Sequence, residues 1–277
     1  MSVFKSVTER DLADPSVKWI DARFSLKDPA EGRRQYEAAH IQGAVHWDLE
    51  KDLSDMQKKG GRHPLPDRQK MEELFRKSGL QLDDEIIIYD GGGEPFAARA
   101  WWILIYAGFR HVSIALQGFE QLKTLGAETE REIAVPEPTG VEPKWNDGIL
   151  AVKEDVASMT DQTDSGLLID ARAPERYRGE HEPLDKIAGH IPGAENFDWA
   201  QLAPDGMFET DGEASARLLG MAGTGRQITV YCGSGVTAAP LFAMLHEKGK
   251  TDIRLYAGSY SDWIEDGDKE VETGGRL

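Results

Sequence analysis

The chain has 277 residues and a single cysteine, Cys232, which excludes an intramolecular disulfide and any cysteine-cluster metal site. A formal net charge of −17 repels phosphate backbones and anionic headgroups, excluding nucleic acid and membrane surfaces as partners. With 40% hydrophobic and 29% charged residues and a mean hydropathy of −0.49, the composition is that of a folded soluble protein, and the length fits two domains. The first ten residues hold no apolar signal core and no run is long enough to span a bilayer, so the expected compartment is the cytoplasm.

In chain order, short apolar runs predict strands over Val17–Asp21, Glu85–Tyr89 and His111–Leu116 in the first half. The same signal returns at Leu167–Asp170, Ile228–Tyr231 and Asp252–Tyr256. Helical stretches fall between them at Gln69–Ser78, Pro95–Tyr106 and Thr237–Glu247, the last two stopping just before Gly108 and Gly249. Alternation of strand and helix, with strands apolar on both faces, predicts an α/β fold with mostly parallel sheets flanked by helices.

The two halves repeat. Ile20-Asp21-Ala22-Arg23 recurs as Ile169-Asp170-Ala171-Arg172, and His40-Ile41-Gln42-Gly43-Ala44 as His190-Ile191-Pro192-Gly193-Ala194. Further on, Ile88-Tyr89-Asp90-Gly91 matches Val230-Tyr231-Cys232-Gly233, and Ala115–Phe119 matches Leu255–Ser259. Four ordered matches indicate a duplicated fold. Between the copies, the stretch from Val135 to Pro143 carries three prolines and a glycine, which reads as an extended connection. The expected division is a first domain over 1–135, a linker over 136–146 and a second domain over 147–277.

The most informative stretch is Gln227-Ile228-Thr229-Val230-Tyr231-Cys232-Gly233-Ser234-Gly235-Val236-Thr237-Ala238-Ala239-Pro240. A buried-type strand delivers Cys232 to a glycine-containing loop that enters a helix, with Pro240 tolerated in the first turn. Such a loop turns successive N–H groups toward one anionic atom, and the helix adds its positive end. The arrangement favours a reactive thiolate over an inert buried thiol. The corresponding loop of the first copy, Asp90-Gly91-Gly92-Gly93-Glu94-Pro95-Phe96, lacks the third glycine of a dinucleotide fingerprint and presents acid to phosphate.

Cys232-Gly233-Ser234-Gly235-Val236-Thr237-Ala238, within two repeats that each carry Asp-Ala-Arg and His-Ile-x-Gly-Ala, resembles the tandem-domain rhodanese-type sulfurtransferases over nearly the whole chain. The loop is more similar to the mercaptopyruvate branch of that family than to the thiosulfate branch, whose loop usually carries basic residues. The resemblance implies two rhodanese-like domains, the first lacking the cysteine and bearing Asp90 in its place. It implies double displacement: Cys232 takes sulfur from a small-molecule donor as a persulfide, and a thiol such as reduced thioredoxin, or cyanide, removes it. The amides of Gly233, Ser234, Gly235, Val236 and Thr237 would hold the persulfide anion. No cofactor is implied, and no histidine pair has metal-ligand spacing.

The resemblance also implies roles around the loop. Arg176 falls where the family binds the donor's anionic group, a task suited to a guanidinium fork. Members acting on mercaptopyruvate often carry a second arginine after a Glu-Pro pair, but here Glu182-Pro183 is followed by Leu184, leaving Lys186 or Arg178 as the replacement. Ser234 would relay a proton to the pyruvate enolate, and Thr237 either hydrogen-bonds the thiolate or caps the helix. Asp52 and His63 resemble the family's residues that complete this serine-centred relay from across the domain interface; ordinary polar-loop roles stand beside that reading. His40 and His190, present in both copies, read as structural.

Two other classes compete. A cysteine phosphatase needs an arginine after five intervening residues, where this chain has Ala238. A non-catalytic rhodanese-like binding module is the remaining alternative, with thiosulfate:cyanide transfer as the alternative enzymatic activity. The uncharged loop favours mercaptopyruvate, because a dianion gains from cations that residues 233–237 lack.

Overall fold

A computed structural model of the protein describes residues 2–160 and 166–275. The chain divides into two compact units, one comprising Met1–Asp55, Pro66–Asn146 and Asp205–Phe208, the other Met56–Leu65, Asp147–Pro204 and Glu209–Leu277. Residues 136–146 pack with the first unit: the Thr139 and Lys144 N–H groups donate to the Arg76 and Ala107 carbonyls at 3.0 and 2.8 Å.

The first unit is built on five parallel strands in the order Phe4–Lys5, His111–Ala115, Glu85–Tyr89, Lys18–Asp21, Val45–His46. The second repeats this layout with Leu150–Ala151, Ile253–Tyr256, Ile228–Tyr231, Leu167–Asp170 and Glu195–Asn196. In each, the strand that carries Asp90 or Cys232 at its end is central. Central parallel strands are covered on both faces, which is why Ile86, Ile87, Ile88, Ile228 and Val230 are all buried apolar residues. The helices Phe96–Tyr106 and Ala239–Glu247 follow those strands, and both are apolar around nearly their whole circumference and buried, as helices without a polar face must be. Each begins one or two residues later than the sequence pattern predicts.

The duplicated motifs serve the same ends in both units. Arg23 pairs with Asp21, and Arg172 with Asp170 at 2.7 Å, closing the ends of equivalent strands. His40 and His190 each place Nδ1 against the carbonyl of a tyrosine, Tyr36 at 2.6 Å and Tyr177 at 2.7 Å, and stack on that tyrosine's ring with 3.8 Å between centroids. These contacts occupy the imidazoles in structural work. Among the described residues, no helix is long and apolar enough to cross a membrane, and no three His, Cys, Asp or Glu side chains gather as metal ligands.

Candidate active site

The strand Ile228–Tyr231 ends at Cys232, which is 1% exposed. Residues 233–237 then turn before the helix Ala239–Glu247 begins. The N–H of Gly235 donates to Cys232 Sγ at 3.1 Å, a bond that stabilises negative charge on sulfur. Gly235 has φ +76°, and a Cβ there would stand 2.1 Å from the Ala257 carbonyl oxygen. Only glycine can turn this N–H onto the sulfur while lying so close to neighbouring backbone.

The short helix Ser259–Trp263 fixes the other side of the loop. Ser259 Oγ accepts the Cys232 N–H at 3.1 Å, donates to the Tyr256 carbonyl at 2.8 Å and lies 4.0 Å from Sγ. Its φ of +57° is the one non-glycine positive value among the described residues, a strained conformation held by these bonds. The N–H groups of Tyr260 and Ser261 donate to the carbonyls of Cys232 and Gly233, both at 3.0 Å. The cysteine loop is therefore tied through carbonyls and amides alike.

Two side chains of the segment Met56–Leu65 reach this site. His63, 8% exposed, places Nδ1 2.8 Å from Ser234 Oγ. Arg62 is anchored by its N–H to Ser261 Oγ at 3.0 Å, and its guanidinium bonds the Asp185 carboxylate. A Cβ on Gly233 would be 2.5 Å from Arg62 Nη2 and 3.4 and 3.6 Å from the terminal nitrogens of Arg176. The missing side chain at Gly233 is thus what admits two guanidinium groups beside the residue that follows the cysteine.

Arg176, from the short helix Pro174–Tyr177, donates to Glu182 through Nε at 3.0 Å and Nη2 at 2.9 Å, and to Asp185 through Nη2 at 3.0 Å. Glu182 and Asp185 share this cation yet shift in opposite directions. Burial pushes the Glu182 carboxyl up, but the Arg176 bonds and the N–H groups of Leu184 and Asp185 outweigh it and hold it below the usual range. For Asp185 burial wins over the attraction of Arg62, and the neighbouring Glu182 charge adds to it, so the carboxyl is raised.

Of the side chains singled out from sequence, Cys232, Ser234, His63 and Arg176 gather here with the loop residues Gly233 and Gly235. Val236 is buried. The helix N-cap is Ala238 and makes no side-chain capping bond, so the capping reading of Thr237 is corrected. Arg178, offered as the second donor-binding arginine, pairs instead with Glu180 at 2.7 and 2.9 Å in an exposed fork. Asp52 belongs to the first unit, where its carboxylate accepts the Asp48 N–H at 2.8 Å and burial raises its titration. Arg62 was missed, although it adjoins His63 in sequence and the absent second arginine called for a cation from elsewhere.

Comparison with known proteins gives the family. The Rhodanese-like domain family matches twice, over residues 6–125 and 152–266. A probable 3-mercaptopyruvate sulfurtransferase of Pseudomonas aeruginosa is 39% identical over 272 residues, covering 95% of this chain and 94% of the relative. A putative thiosulfate sulfurtransferase, SseB of Mycobacterium tuberculosis, is 38% identical, covering 94% and 92%. The crystal structure of SseA from Escherichia coli, a 3-mercaptopyruvate sulfotransferase by its description, superposes with a TM-score of 0.79 at 28% identity, covering 94% of this chain and all of that one. With two such domains, one cysteine loop and full-length relatives that are sulfurtransferases, the chain belongs to the rhodanese family as a tandem-domain sulfur-transferring enzyme.

Proposed function

We propose that the enzyme moves sulfane sulfur from 3-mercaptopyruvate to a thiol such as reduced thioredoxin, or to cyanide, through a persulfide on Cys232. The observation that carries the choice of donor is the His63–Ser234 pair, 2.8 Å apart beside the cysteine. When the Cys232 thiolate attacks the donor's sulfur, the carbon–sulfur bond breaks and its electrons leave as the pyruvate enolate. That carbanion needs a proton to become pyruvate, and a hydroxyl backed by an imidazole delivers one. The donor's own thiol proton is released as the persulfide ionises, so the proton account closes. Sulfite leaving from thiosulfate requires no protonation at carbon and would leave the pair without a task.

In the second half-reaction the acceptor attacks the outer sulfur, the S–S bond breaks and the Cys232 thiolate returns. The Gly235 N–H at 3.1 Å from Sγ supports the anionic forms of both states. Arg176 would take the donor carboxylate. We place the reaction in the cytoplasm, whose reduced thiols regenerate the acceptor. The Mycobacterium tuberculosis relative makes thiosulfate the second reading. Steady-state rates with both donors, together with mass spectrometry of the intact chain, test the proposal. The expected result is one added sulfur on Cys232 after 3-mercaptopyruvate, removed by cyanide or a dithiol. A chain that gains no sulfur would leave only a binding role, and a higher kcat/KM for thiosulfate would reverse the order of donors.

A further inference from the structure

The cysteine loop is bordered by a closed set of charges. Three guanidinium groups, Arg62, Arg172 and Arg176, face three carboxylates, Asp170, Glu182 and Asp185. The arginines are not equally committed. Arg172 is 1% exposed at its side chain and is spent on Asp170, on the Gly189 carbonyl at 2.7 Å and on Glu182 at 3.3 Å. Arg176, with a side chain 17% exposed, gives Nε and Nη2 to Glu182 and Nη2 also to Asp185, whereas Arg62, with a side chain 30% exposed, has Asp185 as its ion-pair partner among the described residues. The Asp185 carboxylate bridges Arg62 and Arg176, one oxygen to each, while its own side chain is 3% exposed.

We propose that Arg62 is a donor-binding residue that forms, with Arg176, a two-guanidinium clamp beside Gly233, and that Asp185 sets the clamp's selectivity by competing with the donor's anionic group. The inference rests on the sulfurtransferase reading of the site. A carboxylate that bridges two forks makes the bonds a donor carboxylate would make, so the donor gains only the difference between its own bonds and those of Asp185. Because positive and negative charges in the set are equal in number, a monoanionic group exchanges with Asp185 at little electrostatic cost. A dianion leaves a surplus negative charge near a sulfur that is itself anionic in the reaction. The clamp thereby joins a segment distant in sequence to the loop through Asp185, 123 positions further on.

The test compares Arg62→Met, Arg62→Lys, Asp185→Asn and the double variant Arg62→Met/Asp185→Asn with 3-mercaptopyruvate and thiosulfate as sulfur donors and the uncharged diallyl trisulfide as a probe of Cys232 reactivity. Arg62→Met should raise KM for both anionic donors about tenfold, as loss of a charge-assisted bond does, with kcat little changed. Its rate of Cys232 modification by the trisulfide, in which the thiolate attacks a terminal sulfur to form the Cys232 allyl disulfide and allyl persulfide leaves, should equal that of the parent enzyme, which a merely structural arginine would not allow. Arg62→Lys should recover part of the loss. Asp185→Asn should lower KM for both anions, more for thiosulfate. The double variant should stay weaker than the parent, because neutralising Asp185 does not restore the guanidinium. An Arg62→Met enzyme with unchanged KM, or one that loses equally toward both donors and the trisulfide probe, overturns the inference while leaving sulfur transfer intact. A parent enzyme that takes sulfur from none of the donors overturns the functional reading and this inference with it.

Discussion

His63 and Ser234 stand 171 positions apart in the chain, yet His63 Nδ1 lies 2.8 Å from Ser234 Oγ, both residues being 8% exposed. Buried polar atoms at this distance share a proton, and Ser234 lies two residues from Cys232, whose sulfur attacks the donor. If its task is to protonate the enolate, the dependence must follow the donor. His63→Gln and Ser234→Ala should each lower kcat for 3-mercaptopyruvate by about 100-fold, the lower range for positioned proton transfer. Neither should lower kcat for thiosulfate by more than a few-fold. An equal loss with both donors, measured by sulfite and pyruvate release, would assign the pair to shaping the loop instead.

Gly235 presents the sharpest local requirement in the site. Its N–H reaches Sγ only because φ is +76°, and any Cβ would collide with the Ala257 carbonyl. Gly235→Ala therefore has two costs, positive-φ strain of about 1–2 kcal/mol and displacement of backbone against the following strand end. Thermal unfolding should shift down by several degrees, and persulfide formation should slow by more than about tenfold, as for loss of an oxyanion-hole donor. A variant that kept full persulfidation with lowered stability would remove the Gly235 amide from the mechanism.

Thr237 yields a smaller, contrasting expectation. The N-cap of the helix Ala239–Glu247 is Ala238, with no side-chain cap bond, so the Thr237 hydroxyl contributes nothing to helix stability through capping. Thr237→Val should leave the unfolding midpoint within the small range of a neutral substitution. A drop of about 1 kcal/mol, the usual worth of a cap, would contradict that geometry.

The sequence carries the strands, the duplication and the cysteine loop because each depends on local pattern. The run Ile228–Tyr231 is rich in β-formers and buried along its whole length, and the glycines after Cys232 allow the positive φ of a tight turn. What it hides are relationships set by chain return. The segment Met56–Leu65 reads as a polar, glycine-rich loop of the first copy, yet it clusters with the second unit and brings Arg62 and His63 there. No periodicity marks a guanidinium that will meet Asp185 123 residues later. The missing arginine after Glu182-Pro183 was the available signal, since a donor anion held by Arg176 alone leaves a charge to be found. Arg178 was the nearer candidate in sequence, but its side chain is drawn off by Glu180.

Asp90 gives the first unit a pH dependence. It ends the strand Glu85–Tyr89 as Cys232 ends its counterpart, and its carboxylate accepts the N–H groups of Gly92 at 2.9 Å and Ala97 at 3.1 Å. Burial, reinforced by the Glu94 carboxylate, outweighs those donors and pushes the carboxyl from 3.8 up to about 7. Between those values the folded chain keeps the proton while the unfolded chain has released it. Stability is therefore full below the unfolded value and falls as pH rises toward 7, by about 1.4 kcal/mol per unit and at most ~4 kcal/mol in all. Urea unfolding at pH 5 and pH 8 should show a larger fall for the parent chain than for Asp90→Asn, which has no proton to lose there. Carboxylates remote from Asp90 contribute equally to both chains and cancel in the comparison; Glu94, which is coupled to Asp90, loses a like-charged neighbour in Asp90→Asn, a change that acts in the same direction. Identical falls would mean that Asp90 ionises without penalty, and that the amide cradle of the first unit stabilises a carboxylate as fully as water does.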